Sequence, residues 1–230
     1  MAFDVLGATT NDAPPRPRGA VWTFLKNIWD TAKVFLVSLA IIIPFRAYVA
    51  QPFFVRGASM TPNFHDGEYL IVDELSYRLH VRPPQRGDVV VFKYPLDPSQ
   101  YFIKRIIGLP GETVRIRGGV VTIVSVTFPQ GVVLDESPYL EADEQTDGDL
   151  EVTVRPDEWF LLGDNRNHSS DSRAWGALPE RLVVGRAWVR AFPFSRVGVI
   201  ATPWYGSLTT AAADATRGSS EPPPRLQTVP

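Results

Sequence analysis

Residues 87–111 read GDVVVFKYPLDPSQYFIKRIIGLPG, in which two apolar runs, at 88–94 and 101–107, are divided by a turn that contains two prolines. Valine, isoleucine and aromatic residues dominate both runs, as is typical of β-strands. Further short runs bounded by glycine, aspartate or proline occur at 69–72, 120–127, 131–134, 151–154, 158–162 and 183–191. The runs are too short and the turns too frequent for parallel β/α units, so the sequence predicts a mainly β fold of antiparallel sheet.

The composition of the 230-residue chain excludes several classes of protein. Hydrophobic residues make up 44% and charged residues 21%, so the chain can bury a core. A net charge of −2 argues against nucleic acid as the main partner, because phosphate binding requires a basic surface. Cysteine is absent, which excludes disulfides, thiolate nucleophiles and cysteine-bound zinc. The three histidines are too widely spaced for a helical zinc motif, and we expect neither a metal nor a cofactor.

Changes in composition along the chain predict four segments. These are a disordered head over 1–20, a transmembrane anchor over 21–50, a β domain over 51–204 and a disordered tail over 205–230. The anchor prediction depends on residues 34–50, where Ser38, Pro44 and Arg46 alone interrupt an apolar sequence. A helix of that length spans roughly 25 Å, which is marginal against a hydrocarbon core of about 30 Å. Lys26 and Lys33 at one end and Arg46 at the other can extend the span by snorkelling, and flanking aromatic residues suit the two interfaces. The alternative is a buried helix of a soluble domain.

The distribution of basic residues predicts the orientation of the anchor. Four basic residues precede the apolar span, at positions 16, 18, 26 and 33, whereas Arg56 alone follows within about fifteen positions of Arg46. This asymmetry predicts a cytoplasmic N-terminus and an extracytoplasmic β domain. Cleavage as a signal peptide requires small residues at −3 and −1, and a cut after Ala50 would put Tyr48 at −3. We therefore expect a retained anchor.

Residues 135–151 form an acidic insert that carries eight carboxylates and no basic residue. A calcium loop of the EF-hand type does not fit, because Gly148 falls between Asp147 and Asp149. The segment is predicted to be a solvated acidic loop.

Two segments contain residues that suit acyl-transfer chemistry. The sequence VRGASMTP at 55–62 puts Ser59 on a turn of small residues, where Gly57 and Ala58 allow a substrate backbone to come close. Most serines on turns have no further role, so this segment alone is a weak indication of a nucleophile. Lys104 lies between apolar residues of its own strand face, where desolvation disfavours its charged form and suits a general base. The alternative is an edge lysine whose stem lies on apolar surface.

The third segment, GDNRNHSSDSRAWG at 163–176, is a run of polar residues between two apolar stretches. Such a run is also typical of a loop held by side-chain hydrogen bonds to its own backbone. A Ser-His-Asp triad of Ser59, His168 and Asp164 is one hypothesis for this chemistry. A serine–lysine pair is the other, and it needs no histidine.

These segments, in this order, resemble the bacterial type I signal peptidases, which are membrane-bound serine–lysine proteases. The resemblance extends from about Trp22 to Trp204 and is carried by five boxes. They are Ser-Met-x-Pro at 59–62, Gly-Glu-x-Leu-x-Val at 67–72, Gly-Asp-Val-Val-Val-Phe at 87–92, Lys-Arg-x-x-Gly-Leu-Pro-Gly at 104–111 and the Gly-Asp-Asn…Ser-x-Asp-Ser-Arg-x-Trp-Gly box at 163–176. The lysine box and the last box are very specific together.

The resemblance implies a role for each matching residue. Ser59 would be the nucleophile and Lys104 the general base, with Ser169 orienting the lysine amine by a hydrogen bond. The remaining supporting residues would hold the loop and brace the sheet, and they are Asp171, Arg173 and Arg105. Some members carry a serine, two residues before the nucleophile, that binds the oxyanion, and here Gly57 stands at that position. The oxyanion hole is therefore expected to consist of backbone N–H groups, those of Ser59 and Gly57.

The chain also departs from the family pattern at two positions. Asn167-His168 stands where Asp-Asn is commoner, which makes a catalytic His168 less plausible. Asn63-Phe64 stands where Thr-Leu is commoner, and this difference is expected to reshape the specificity pocket.

The function implied by the resemblance is the removal of signal peptides from secreted preproteins, after small residues at −3 and −1. The substrate would lie extended beside strands near 53–56 and 101–104. The residues expected to line the −3 pocket are Phe53, Val55, Leu70 and Ile103, and those of the −1 pocket are Met60, Phe64 and Phe102. The expected location is a bacterial plasma membrane, with the lipid bilayer and the protein-export machinery as partners.

Two other functions share features with this sequence. A self-cleaving repressor-type serine–lysine protease would have the same β core, but residues 1–50 do not resemble a DNA-binding head. A non-catalytic membrane-tethered scaffold would keep the fold and lose Ser59 or Lys104, and both are present.

Overall fold

The computed structural model describes residues 19–44, 50–79, 81–141 and 144–205. The helices are α1 (Ala20–Pro44), α2 (Leu75–Arg78) and α3 (Ser172–Trp175), with 3₁₀ turns at Arg166–His168, Glu180–Leu182 and Phe194–Arg196. The strands are β1 (Ala50–Phe54), β2 (Tyr69–Asp73), β3 (Val89–Tyr94), β4 (Asp97–Gly108), β5 (Thr113–Arg117), β6 (Val120–Val124), β7 (Val132–Val133), β8 (Leu150–Thr153), β9 (Glu158–Leu162), β10 (Leu178–Pro179), β11 (Val183–Phe192) and β12 (Gly198–Val199).

The chain divides into two compact units, residues 1–45 and 46–230. The first contains α1, a 25-residue helix whose large apolar side chains are exposed from Trp22 to Ile43. Within the described ranges, no helix combines the length and the apolar character needed to cross a membrane. The predicted transmembrane helix over 21–50 is therefore unconfirmed, and residues 45–49 of that span lie outside the described part of the chain.

The second unit is built on two antiparallel sheets, which confirms the prediction of a mainly β fold. The larger sheet has the strand order β1-β2-β11-β3-β4-β9-β10, with β12 paired to β11. The smaller sheet has the order β7-β6-β5-β8. In β2 the side chains of Leu70 and Val72 are buried and that of Tyr69 is exposed, as expected for alternation in a sheet with one covered face.

Three apolar clusters form the core of this unit. One lies among Val55, Leu70, Val91, Ile103 and their neighbours, directly below the segment that carries Ser59. A second packs around Phe92 and Trp159, and a third joins the two sheets around Ile107 and Phe160. Tyr205, at the start of the predicted tail, is buried in the third cluster, so the tail prediction begins too early.

The sequence prediction did not include β5 or the two-residue strands β10 and β12. β5 reads Thr-Val-Arg-Ile-Arg, and its two arginines hid a strand whose valine and isoleucine alternate correctly. Val114 and Ile116 are fully buried against the core, whereas Arg117 is exposed. The period-two pattern was present in the sequence, and counting the arginines as the solvent-facing positions would have revealed it.

The acidic insert over 135–151 is more than a solvated loop, which corrects the prediction. Glu136 accepts two hydrogen bonds from the guanidinium of the fully buried Arg166, at 2.6 and 3.0 Å. Glu144 accepts the backbone N–H of Arg166 at 2.7 Å, and the buried Thr146 hydroxyl also contacts its guanidinium. Because an unpaired buried guanidinium is costly, this ion pair ties the insert to the 163–176 loop.

Candidate functional site

A groove of about 540 Å³ runs between β1 and β4 and contains both Ser59 and Lys104. β1 is the outermost strand of the larger sheet, so one of its edges has no strand partner in the described part of the chain. β9 pairs with β4 only from Arg105 onward, so residues 101–104 also present an open edge. Two open strand edges facing one groove provide hydrogen-bonding groups for an extended peptide.

Ser59 and Lys104 meet at this groove although 45 positions separate them in sequence. The Lys104 Nζ lies 2.7 Å from the Ser59 Oγ and 2.8 Å from the backbone carbonyl oxygen of Ile103. The hydrogen bond to the Ile103 carbonyl oxygen, on the same strand, helps to fix the position of the amine. The geometry therefore brings a hydroxyl and an amine to the separation at which a proton can pass between them.

Burial lowers the pKa of the Lys104 amine from 10.5 to about 8. The Lys104 side chain is 3% exposed, and removal of its hydration disfavours the charged form. The negative charges of Asp171 and Asp164 act in the opposite direction and raise the pKa, but their effect is smaller. A substantial fraction of this amine is therefore neutral near pH 8 and able to accept a proton.

The 163–176 loop holds the backbone of Ser59. Asn165 donates its N–H to the Ser59 carbonyl oxygen at 3.1 Å, and its side-chain amide donates to the Thr61 hydroxyl at 3.0 Å. Gly163 lies so close that a Cβ there would be 2.6 Å from the Ser59 carbonyl oxygen and 2.1 Å from the Ser169 Oγ. Only glycine fits at this contact between the loop and the serine turn.

Asp164 pairs with Arg105 beneath the site. The Arg105 guanidinium donates to both carboxylate oxygens of Asp164, at 2.8 and 2.6 Å, and the Asn63 side-chain amide donates to one of them at 2.9 Å. His168 is exposed, and its Nδ1 contacts the Asn165 Oδ1 at 3.2 Å. The described contacts therefore do not assemble the Ser59–His168–Asp164 triad, and the partner of the serine hydroxyl is the lysine.

The Asp171 carboxylate joins Gly163, at the start of the 163–176 loop, to Arg173, near its end. The carboxylate accepts hydrogen bonds from the Gly163 N–H at 3.0 Å and from the Arg173 guanidinium at 2.8 and 2.9 Å. Arg173 also donates to the Arg166 carbonyl oxygen at 2.6 Å. These bonds cross-link the loop that contacts Ser59.

The expected hydrogen bond between the Ser169 hydroxyl and the Lys104 amine is absent from the described contacts. The Ser169 hydroxyl is buried and has no hydrogen-bond partner among the described residues. The close approach of Gly163 places the Ser169 hydroxyl near the serine turn, but the predicted bond to Lys104 is not formed in this structure.

One of the two backbone N–H groups expected to form the oxyanion hole, that of Gly57, already donates a hydrogen bond. The Gly57 N–H donates to the Asp66 Oδ1 at 2.7 Å, and Gly57 has a φ of +87°. The Ser59 N–H makes no hydrogen bond with another described residue. In this structure a carboxylate that the sequence did not indicate, Asp66, accepts the Gly57 N–H, and of the two expected donors the Ser59 N–H is the one without a described partner.

The groove contains five of the seven residues predicted to contact substrate, and they are Phe53, Val55, Leu70, Phe102 and Ile103. Met60 and Phe64 are buried in the core cluster below the groove, where they are 1% and 2% exposed. They support the groove rather than line it, because the serine turn folds their side chains inward. Val91 and Ser170 also line the groove and were not predicted, whereas Tyr101 belongs to the strand that was expected beside the substrate.

No group of three or more histidine, aspartate or glutamate side chains converges on a metal position within the ranges that the structure describes. His80 and Asp143 lie outside those ranges.

Comparisons with known proteins agree with the resemblance. The family described as signal peptidase, peptidase S26, matches residues 28–192. A probable signal peptidase I-1 of Synechocystis is 36% identical over 205 residues, which cover 86% of this chain and 95% of that protein. The signal peptidase I of Leptolyngbya laminosa is 34% identical over 211 residues, covering 88% of this chain and 98% of that protein.

A crystal structure of a signal peptidase I from Enterococcus faecalis is 33% identical to this chain, with a TM-score of 0.38. The match covers 46% of this chain and 97% of that one. Because the family match spans residues 28–192 and the curated relatives extend along most of the sequence, the chain belongs to the signal peptidase I family.

Proposed function

We propose that this chain removes signal peptides from secreted preproteins, with Ser59 as the nucleophile and Lys104 as the general base. The observation that carries the proposal is the 2.7 Å contact between the Ser59 Oγ and the Lys104 Nζ in a groove open to an extended peptide. The low pKa of the amine supports it further, because a guanidinium or an ordinary lysine would stay protonated at neutral pH.

The reaction has two halves. The neutral Lys104 amine takes the hydroxyl proton as the Ser59 oxygen attacks the scissile carbonyl carbon, and the resulting oxyanion accepts the Ser59 N–H. The lysine then gives its proton to the departing amine of the mature protein, which leaves the signal peptide as an ester on Ser59. Water, deprotonated by the same amine, cleaves the ester and regenerates the hydroxyl.

The apolar walls of the groove leave room for only small substrate side chains at −1 and −3 in this proposal. Phe53, Val55, Leu70 and Ile103 are the proposed floor of the −3 pocket, and Phe102 contributes to the −1 pocket. An overfilled pocket costs about 1–3 kcal/mol, which corresponds to roughly a tenfold to hundredfold loss in rate. Leucine at −1 or −3 should therefore abolish efficient cleavage, whereas substitutions at −2 should be tolerated.

The decisive experiment compares the purified full chain with variants on one preprotein in detergent, with products identified by mass spectrometry. Ser59→Ala and Lys104→Arg should both lose cleavage, and Lys93→Arg, at an exposed lysine outside the groove, is the matched control. A wild-type chain that cleaves nothing would favour the non-catalytic scaffold. A chain that cuts only itself when incubated alone would favour the self-cleaving protease.

We also propose that the chain is anchored in the bacterial plasma membrane by residues 21–50, with the N-terminus in the cytoplasm. The exposed apolar side chains of α1 support a lipid environment for that unit. In the second unit, Phe54, Tyr69, Phe192 and Phe194 form a row of exposed rings whose neighbouring centroids are 5.0, 6.2 and 5.6 Å apart. Such a row suits the interface of a bilayer.

Two measurements test the anchor independently of catalysis. The full chain should stay with the membrane fraction after extraction at alkaline pH, and a reporter fused after Trp204 should be active only outside the cytoplasm. The mature N-terminus should remain near Met1. Release by alkaline extraction, or a chain that begins near Gln51, contradicts the proposal.

A further inference from the structure

A second cavity, of about 340 Å³, is lined mostly by polar residues, in contrast to the apolar pockets of the catalytic groove. The two share His168, which lines both. The lining of the second cavity includes Thr61 and Pro62, which follow Ser59 closely in sequence, and Asn165 and Asn167 of the 163–176 loop. Because the two cavities meet at His168 and Thr61 lies two positions after Ser59, a polypeptide that crosses Ser59 from the apolar groove can continue into this cavity.

We propose that this cavity holds the residues that follow the scissile bond, the first residues of the mature protein, and that Glu141 and Glu144 on its wall determine which charges are accepted there. This inference rests on the proposed function, because it assigns the second half of the same substrate. The apolar groove receives the residues before the scissile bond, and the products leave in opposite directions.

The charge of the cavity follows from the partners of its carboxylates. Asp164 is neutralised by the bidentate guanidinium of Arg105. Glu141 and Glu144 form no ion pair with a described cation, although Glu144 accepts the backbone N–H of Arg166. The other titratable side chains on the wall are His65 and His168. Two uncompensated carboxylates give this wall a negative potential that attracts a lysine or arginine and repels an acidic residue.

The described part of the acidic insert is bound to the 163–176 loop at several points. The buried ion pair between Arg166 and Glu136 joins it to the loop that contacts Ser59, and Glu144 is itself bound to that loop. These contacts hold Glu136 and Glu144 against the loop that contacts Ser59. This explains a segment of the sequence to which the cleavage reaction alone assigns no role.

The test uses three preprotein substrates that differ at position +2 alone, with lysine, glutamine or glutamate. For the wild-type chain in detergent, kcat/KM should fall in that order, with about a tenfold ratio between lysine and glutamate. In the Glu141→Gln/Glu144→Gln double variant the ratio should fall to about two. Glutamine keeps the side-chain oxygen that accepts the Arg166 N–H, and the ratio cancels any general loss of activity.

Two controls restrict the effect to the cavity. Asp149→Asn removes an exposed carboxylate of the same insert that lies outside the cavity, and its ratio should match the wild-type value. The same lysine and glutamate placed at −2 should give a ratio near one. A wild-type ratio near one at +2, an equal effect of Asp149→Asn, or an equal effect at −2 would each overturn the inference. Failure to cleave any of the substrates would instead count against the proposed function.

Discussion

Gly57, two residues before the serine that faces Lys104, donates its N–H to the Asp66 Oδ1 at 2.7 Å. The bond continues the pairing of β1 with the start of β2, in which Val55 bonds with Gly67 and Glu68. Asp66 thus ends the ladder with a side-chain acceptor, and it fixes the direction in which the chain turns toward Ser59. The Ser59 N–H, two positions further on, makes no hydrogen bond with another described residue.

Replacement of Asp66 by alanine should lower kcat/KM about fivefold, because the turn loses a hydrogen bond to a charged group worth about 1 kcal/mol at an exposed site. Asp66→Asn should stay close to the wild type, since the amide oxygen can accept the same bond. Asp135→Ala removes a comparable turn carboxylate outside the groove and serves as the control. A faster Asp66→Ala enzyme would mean that the released Gly57 N–H becomes an oxyanion donor.

The rate should depend on the neutral form of Lys104. With a pKa of about 8 for this amine, kcat/KM should rise about tenfold per pH unit below pH 8 and level off above it. Lys104→Arg should reduce the rate by about 10²- to 10⁴-fold at every pH. Stopped assays from pH 6 to pH 10 measure the profile. Loss of activity in His168→Ala, together with near-normal activity in Lys104→Arg, would favour the histidine triad.

The same pKa makes a prediction about stability. Below pH 8 the Lys104 amine is charged in both the folded and the unfolded chain, and the folded chain bears the full free-energy cost of burying that charge. Between pH 8 and 10.5 the folded chain has released a proton that the unfolded chain keeps, so the stability of the wild type rises with pH. The difference of about 2.5 pH units corresponds to about 3 kcal/mol.

Lys104→Met should therefore have a free energy of unfolding up to about 3 kcal/mol above that of the wild type at pH 7. This difference should shrink toward pH 10.5. Urea unfolding at pH 7, 9 and 10.5 measures the difference. Lys93→Met, at an exposed lysine, should show no gap that changes with pH. A gap that stays constant across this range would contradict the assigned cause of the low pKa.

Gly163→Ala should reduce kcat/KM by at least about tenfold. Its Cβ would be 2.1 Å from the Ser169 Oγ and 2.6 Å from the Ser59 carbonyl oxygen, so the loop and the serine turn must separate. Gly198→Ala is the control, because nothing lies within 4 Å of its Cβ and its φ is ordinary. Equal activity of the two variants would show that the contact between loop and turn does not position Ser59.

Local patterns in the sequence were sufficient for most of the strands, and the resemblance to a known family gave Ser59 and Lys104 as the proposed reacting pair. The runs at 69–72, 88–94 and 158–162 became β2, β3 and β9, because alternation and turn residues act within a few positions of each strand. The boxes around Ser59 and Lys104 carried enough specificity to identify the family.

Tertiary structure alone decided which polar groups are paired. Asp66 and Glu136 look like surface carboxylates in the sequence, yet one accepts the Gly57 N–H and the other neutralises a buried arginine 30 positions away. Met60 and Phe64 were expected at the groove, and they lie beneath it. Hydrogen bonding and burial depend on where distant segments meet, and a local pattern of residue types does not contain that information.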